Sequence, residues 1–373
     1  MKFLHTGDLH LDSPFSGLDV SKAEARRREL RQTFSKMMRY AREAELDMVI
    51  ISGDLFDGSY VTRETVLLLE REFSALSCPV IIAPGNHDPA SEQSIWQKMR
   101  FPENVYIFKC QEMTRFSFDE LCADVYGYAF TDPTVSKCII SGACERADRI
   151  NILAAHCDIT SPIGQYAPTP VAALRAFGAD YCALGHIHTP DSANAALGNI
   201  GAYCGCPEGR DFGEWGEKGA LVVTVDKQDG KASVKTEKVR FSRRVYKIIT
   251  VNVDGAADAS FIAERIRSFV SESSLSEETL LRVILVGSVD PSLIINTAVL
   301  SEDALGLFHL EVVDKTSPTW NSEDLMAEGG IRGELYRVLL PKLESADENE
   351  RAEGALALRY ALGALNGDDL LEV

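Results

Sequence analysis

Five apolar runs in this chain each end on a loop of metal-binding or proton-transferring side chains, and that repetition narrows the folds open to it. The run Pro79-Val80-Ile81-Ile82-Ala83 leads into Gly85-Asn86-His87-Asp88. The others end at Asp8-Leu9-His10, Gly53-Asp54, His156 and Gly185-His186-Ile187-His188. Six of the seven histidines lie in or beside these loops, His5 being just upstream of the first. A Gly-Asn pair by itself marks only a turn. Val- and Ile-rich runs without polar alternation, separated by helical patterns, mark a covered and largely parallel sheet. Ligands of such sheets collect beyond the carboxyl ends of the strands, where all of these loops fall. The pattern predicts an α/β chain with one site assembled from strand ends.

The intervening segments fit that frame. Leu30, Phe34, Met37, Met38 and Ala41 recur at helical spacing, which predicts a helix over 21–45 with one buried stripe. Its other face carries Arg26, Arg27, Arg28, Arg31, Lys36, Arg39 and Arg42, interleaved with Glu24, Glu29, Glu43 and Glu45. That face reads either as a solvated surface or as a phosphate-tracking one. A buried strand over 48–52 and a helix over 62–76 precede the strand at 79–83. Residues 105–118 and 123–129 read as shorter strands of a second sheet, and 149–155 as a buried strand ending at His156. Residues 158–170 form a rim loop, and 219–225 with 232–240 a hairpin. Near residue 243 the alternation restarts, with strands at 245–253, 280–286 and 307–313 and a helix at 259–271. Helices follow from 323 to 343 and from 354 to 365, joined by a polar, acidic connector. The expected division is a domain over 1–243, a small α+β module over 244–316 and a helical region over 317–373.

A length of 373 residues suits two domains, and 45% hydrophobic content supplies a sizeable core. No apolar run reaches the roughly 18 residues of a spanning helix, and the first residues hold no apolar signal region, so a cytoplasmic protein is expected. Nine cysteines, scattered apart from Cys204-Gly205-Cys206, suit a reducing compartment. Cys204 and Cys206 read as a structural loop or as half of a zinc site that lacks its second pair. The net charge of −18 is concentrated in residues 245–373, where 10 Lys and Arg face 23 Asp and Glu. Any nucleic acid would have to bind a local basic surface against that field.

Asp8, His10, Asp54, Asn86, His156, His186 and His188 offer carboxylate, imidazole and amide donors and no sulfur. Such donors suit manganese, iron or zinc better than calcium. Asp8 and His10, two apart, can reach one ion if the strand end stays extended. Seven ligands exceed one tetrahedral ion and suit two ions sharing a carboxylate, with Asp54 on a central strand. Two divalent ions leave a net positive charge that favours an activated water and a phosphoryl group. His87, next to a ligand, is expected to point toward the leaving group as a proton donor, with Asp88 orienting or charging it.

Together, these motifs resemble the full set of calcineurin-like metallophosphoesterases over about half the chain. The resemblance implies a β-sandwich of two mixed sheets flanked by helices. It implies one ion held by Asp8, His10, Asp54 and His188, another by Asp54, Asn86, His156 and His186, and His87 as catalytic acid. Asp54-Leu55-Phe56-Asp57 with Asn86-His87-Asp88-Pro89 resembles the SbcD-type DNA repair exonucleases and their YhaO-like branch. So do Ala183 to Pro190, and Gly205-Cys206-Pro207 followed by Phe212-Gly213-Glu214 and Gly216-Glu217-Lys218-Gly219. Cys206 stands where that family has Ser. The implied function is a manganese-dependent DNA exonuclease or endonuclease, with iron or zinc as other metals. The implied partners are DNA, a second copy in a homodimer and an SbcC/Rad50-like ATPase gripped by the C-terminal helices. A nucleotide-sized phosphoester substrate and a scaffold role for that ATPase are the rival readings.

Overall fold

A computed structural model of the chain describes residues 1–58, 60–273, 275–290, 293–302, 305–319 and 322–366. It divides into two compact units, Met1–Arg244 and Val245–Val373. The first unit opens with β1 (Lys2–Thr6), α1 (Val20–Glu43), β2 (Met48–Ile51), α2 (Arg63–Ser74) and β3 (Val80–Ile82). Asp19 caps α1 by accepting from the Lys22 N–H, and Thr62 caps α2 through the Thr65 N–H. A short α3 (Ile95–Lys98), β4 (Val105–Ile107), β5 (Thr114–Phe118) and β6 (Ala123–Gly127) follow. Then come β7 (Ile150–His156), α4 (Val171–Phe177), β8 (Tyr181–Gly185), α5 (Asp191–Leu197) and β9 (Gly201–Tyr203). The long hairpin β10 (Gly219–Gln228) and β11 (Lys231–Arg240) completes the unit.

Among the described residues these strands form a six-stranded sheet, β11-β10-β1-β2-β3-β4, and a five-stranded sheet, β5-β6-β7-β8-β9. β1, β2 and β3 run parallel, and β10 returns antiparallel to β1. β4 pairs with β3 in the first sheet, with Ile82 opposite Ile107, so 105–107 does not join the second sheet as expected. Three half-buried residues carry no pattern that tells one sheet from the other. Alternation along the five-stranded sheet explains the layering. Val125, Ile152, Ala154 and Ala183 share a core with Phe3, Ile50 and Ile81 of the six-stranded sheet. Tyr126, Leu153, Ala155 and Leu184, on the opposite face, pack with Leu174, Phe177 and Leu197 of α4 and α5. The stripe of α1 covers the outer face of the first sheet, with Phe34, Met37 and Met38 fully buried. The result is the layered α/β sandwich flanked by helices that the motifs imply.

Two side chains depart from their expected settings. Arg26 is fully buried, with its guanidinium on Glu29 and at 3.0 Å from Glu208. At that position the basic face of α1 is neither solvated nor phosphate-tracking, since a buried cation survives only when paired. His5 lies between the sheets on Tyr181 Oη at 3.0 Å, and burial pushes its pKa down to about 3. It is a core residue and takes no part in the cluster described below.

The second unit contains β12 (Val245–Asn252), α6 (Ala259–Glu272), β13 (Thr279–Val286), β14 (Ser288–Val289), α7 (Thr297–Glu302), β15 (His309–Asp314) and β16 (Ser317–Pro318). β12, β13 and β15 form a parallel sheet, and β14 pairs with β16. Ile262, Ile266 and Val270 of α6 bury against Leu281, Val283 and Leu285. Three helices follow: α8 (Ser322–Ala327), α9 (Ile331–Leu343) and α10 (Glu348–Asn366). The expected helical region extends beyond these, but 320–321 and 367–373 lie outside the described residues.

α10 begins six residues before the expected helix, within the stretch that reads as a connector. Leu358, Ala361, Leu362 and Leu365 recur along it at helical spacing, a stripe that admits two readings, docking to a partner or folding back. Leu358 and Leu362 are buried with Leu325 and Tyr336, and Arg359 donates to Leu293 O at 2.8 Å and Asp314 Oδ2 at 3.0 Å. Leu358 and Leu362 are thus covered by their own unit, while Leu365 is 41% exposed. Leu358→Ala is expected to lower the stability of this unit by about 2–4 kcal/mol, whereas Leu356→Ala, at a half-exposed position, shifts it by less than about 0.5 kcal/mol. Urea denaturation of the two variants checks this, and equal midpoints would return the stripe to the docking reading. Among the described residues no helix is long and apolar enough to cross a membrane.

Candidate metal centre

The strand ends converge because β1, β2 and β3 lie side by side and β7 and β8 neighbour each other in the facing sheet. β1 ends at Thr6, and the chain then enters a left-handed path, with φ of 50° at Asp8 and 46° at His10. The extended geometry expected for this pair is therefore absent. Backbone bonds from Asp8 N to Gly53 O (2.9 Å) and from His10 N to Asp54 O (3.0 Å) hold the bent segment against the end of β2 instead. Asp54 (φ 50°) and His186 (φ 110°) share the left-handed region. Such backbone costs on the order of 1–3 kcal/mol per residue and persists where the surroundings impose it. Gly85 allows a close approach, since a Cβ there would sit 2.2 Å from Asp54 Oδ1.

Three imidazole Nε2 atoms meet at the centre. His10 Nε2 lies 3.3 Å from His188 Nε2, and Asp54 Oδ2 lies 3.7 Å from His10 Nε2 and 3.4 Å from His156 Nε2. Asp8 Oδ1 lies 3.5 Å from His188 Nε2, and Asn86 Oδ1 lies 2.9 Å from His156 Nε2. His186 is less central: its ring stands 5.2 Å from that of His156, while its backbone N–H donates to Asp8. The six others thus converge directly, and His186 sits at the margin.

The outer nitrogens explain the orientation. Nδ1 of His10 meets Asp57 Oδ1 at 2.9 Å, Nδ1 of His156 meets Ser52 O at 3.0 Å, and Nδ1 of His188 meets Glu214 Oε1 at 2.5 Å. Each acceptor fixes the proton on Nδ1 and turns the Nε2 lone pair inward, as in metal-binding histidines. Two lone pairs facing each other at 3.3 Å repel unless positive charge lies between them. The electrostatics agree. Burial would lower the pKa of His188, but Asp8 and Glu214 raise it to about 10. Burial would raise Asp8, yet His188, His156 and His10 hold it below the ordinary carboxylate range. The nitrogen and oxygen donors that converge here fit a divalent metal centre.

His87 borders this cluster with a side chain 44% exposed, its Nδ1 3.4 Å from Asp57 Oδ1 and its backbone N–H donating to Asp54 Oδ1. The partner expected for it is Asp88. Asp88 is instead buried, accepting from the backbone N–H groups of Gly85, Leu55 and Phe56 at 2.7, 2.8 and 3.2 Å. Burial and the Asp54 charge push its pKa up. Asp88 ties the β2 and β3 loops together, and Asp57 faces His87. A carboxylate directly after a histidine in the chain suggests a pair, but the turn sends the two side chains apart.

Asp57 and Glu214 receive no role from the sequence, although both lie in the motif segments that carry the resemblance. Cys206 lies 3.6 Å from Glu214 Oε2 as a buried thiol, its pKa raised by burial and by Glu214. Its Sγ, a ring nitrogen of His188 and a carboxylate oxygen of Glu214 lie within 4.8 Å of one another.

A family model for calcineurin-like phosphoesterases matches residues 1–190. The chain belongs to this family. Within the calcineurin-like phosphoesterases it is 29% identical over 245 residues to the uncharacterized metallophosphoesterase YhaO of Bacillus subtilis, over 61% of this chain and 58% of that protein. It is 24% identical over 291 residues to the DNA double-strand break repair protein Mre11 of Methanopyrus kandleri, covering 72% of this chain and 62% of that one. It is 25% identical over 229 residues to the SbcD component of the SbcCD nuclease of Staphylococcus epidermidis, covering 52% and 58%. The chain thus spans about three-fifths of the length of each relative. Membership of this family places the chain beside relatives of the SbcD and YhaO type.

Proposed function

We propose that residues 1–243 hydrolyse phosphodiester bonds in DNA, with manganese as the metal, 244–316 as a capping module and 317–373 as a helical region. The observation that carries this reading is the convergence of three inward Nε2 atoms on Asp54 Oδ2, with a half-exposed histidine at the edge. Asp8, His10, Asp54 and His188 would hold one ion, and Asp54, Asn86, His156 and His186 the other. When bound, such a centre supplies an activated water and neutralises phosphate charge. The protein's own groups do the rest. Asp54 is shared between the two positions, and its Oδ1 anchors the His87 backbone N–H. His87 protonates the departing sugar oxygen, and Asp57 orients its ring. The exposure of His87 leaves room for a substrate whose leaving group is a long chain.

The DNA assignment draws on the names of the Mre11 and SbcCD relatives, and an SbcC/Rad50-like ATPase is the proposed partner on the same ground. The test is manganese-supplemented cleavage of end-labelled single- and double-stranded DNA beside a small phosphodiester. Cleavage of DNA supports the nuclease. Turnover of the small ester alone assigns the chain to nucleotide-sized substrates.

A further inference from the structure

The segment 204–215 runs beside the cluster but supplies none of the seven expected ligands. It is fixed at both ends. The buried Glu208 carboxylate accepts from Arg26 Nη2 and Thr33 Oγ1, each at 3.0 Å, and from the Arg243 backbone N–H. Further along, Asp211 caps the 3₁₀ turn Phe212–Glu214, and Glu214 Oε2 accepts from the Arg210 backbone N–H at 2.8 Å. Arg210 lies between these anchors with its guanidinium turned toward the centre. Its Nη1 donates to Asp57 Oδ1 at 2.9 Å, and its Nη2 donates to Glu214 Oε1 at 3.1 Å and stands 3.4 Å from His188 Nδ1. One planar group therefore joins the carboxylate that fixes His10 and faces His87 to the carboxylate that fixes His188.

This is no ordinary surface ion pair. The Arg210 side chain is 18% exposed and its two partners 14% and 8%, so solvent does little to screen the contacts. A carboxylate that orients a metal-binding histidine must itself be held, and the fixed fork of a guanidinium can hold two at set angles. On the other side of the centre His156 is oriented by the backbone carbonyl of Ser52, which needs no such support.

We propose that Arg210 is a positioning residue that sets His10 and His188 on one ion, so that this ion's position depends on segment 204–215 while the Asn86–His156 position does not. The proposal rests on the two-ion reading above. Titration of metal-free protein with manganese, followed by calorimetry and by the electron paramagnetic resonance of the bound ions, tests it. Arg210→Gln is expected to weaken one of the two binding steps by about 10- to 100-fold and leave the other within about twofold. At two equivalents of manganese the wild type then shows a coupled pair, whereas the variant, with its weakened position largely empty, shows an isolated ion. Arg210→Lys, a point charge that cannot span both carboxylates, should fall between the variant and the wild type. Thermal melting of the metal-free proteins identifies a variant that has lost its fold. If Arg210→Gln melts early, the comparison of Arg210→Lys with the wild type carries the test. Two unchanged binding steps, or equal weakening of both, would overturn the role of Arg210 alone. A wild-type protein that binds one ion overturns the two-ion reading and this proposal together.

Discussion

Asp54→Asn removes both metal positions at once while leaving the loop geometry in place. Oδ2 of Asp54 lies within 3.7 Å of Nε2 of both His10 and His156, so it is the atom common to the two halves of the cluster. Its Oδ1 accepts from the His87 N–H at 2.9 Å, and an Asn carbonyl oxygen can keep that bond. The substitution therefore withdraws one negative charge from between two cation positions with little change of shape. Manganese content after desalting should fall from about two ions per chain to less than one. Turnover of a phosphodiester should fall by about 10³-fold or more, because each tenfold corresponds to about 1.4 kcal/mol and the charge stabilisation lost is several kcal/mol. Elemental analysis of the variant decides the matter. One ion retained at wild-type affinity would mean that Asp54 serves a single position and is no bridge.

His87→Gln separates proton transfer from metal binding. Its ring is 44% exposed and stands 4.7 Å from that of His10, whose Nδ1 is held by Asp57 and not by His87. Metal content should remain at the wild-type level while turnover falls by about 10²- to 10⁴-fold, the usual worth of a positioned acid. The size of the loss should depend on the leaving group. A nitrophenyl phosphodiester, whose phenolate departs without a proton, should be cleaved by His87→Gln at nearly the wild-type rate, whereas an alkyl ester should not. Asp54→Asn gives no such rescue, because charge stabilisation is needed for either ester. If metal is lost along with activity, His87 is a ligand and its assignment as acid fails.

The same contrast separates what residue order makes legible from what folding decides. Met48-Val49-Ile50-Ile51 and Val80-Ile81-Ile82 declare themselves as buried parallel strands because continuous β-branched runs suit no surface position. The donors at their carboxyl ends then have to share one edge, which is why Asp8, His10, Asp54, Asn86, His156 and His188 can be named together. The stripe of α1 is equally plain, since its period is local. Partners distant along the chain are not. Asp57 meets His10 across 47 residues, Glu214 meets His188 across 26, and Arg26 meets Glu208 across 182. No periodicity encodes such pairings, because they depend on how loops close after the sheets have packed. Asp88 misleads for the converse reason. Adjacency to His87 suggests a pair, while the turn at Gly85 buries its carboxylate among backbone N–H groups. The fate of the α10 stripe also lies beyond its own sequence. An amphipathic helix of this length needs a surface, and its period is the same whether that surface is Tyr336 or a partner protein.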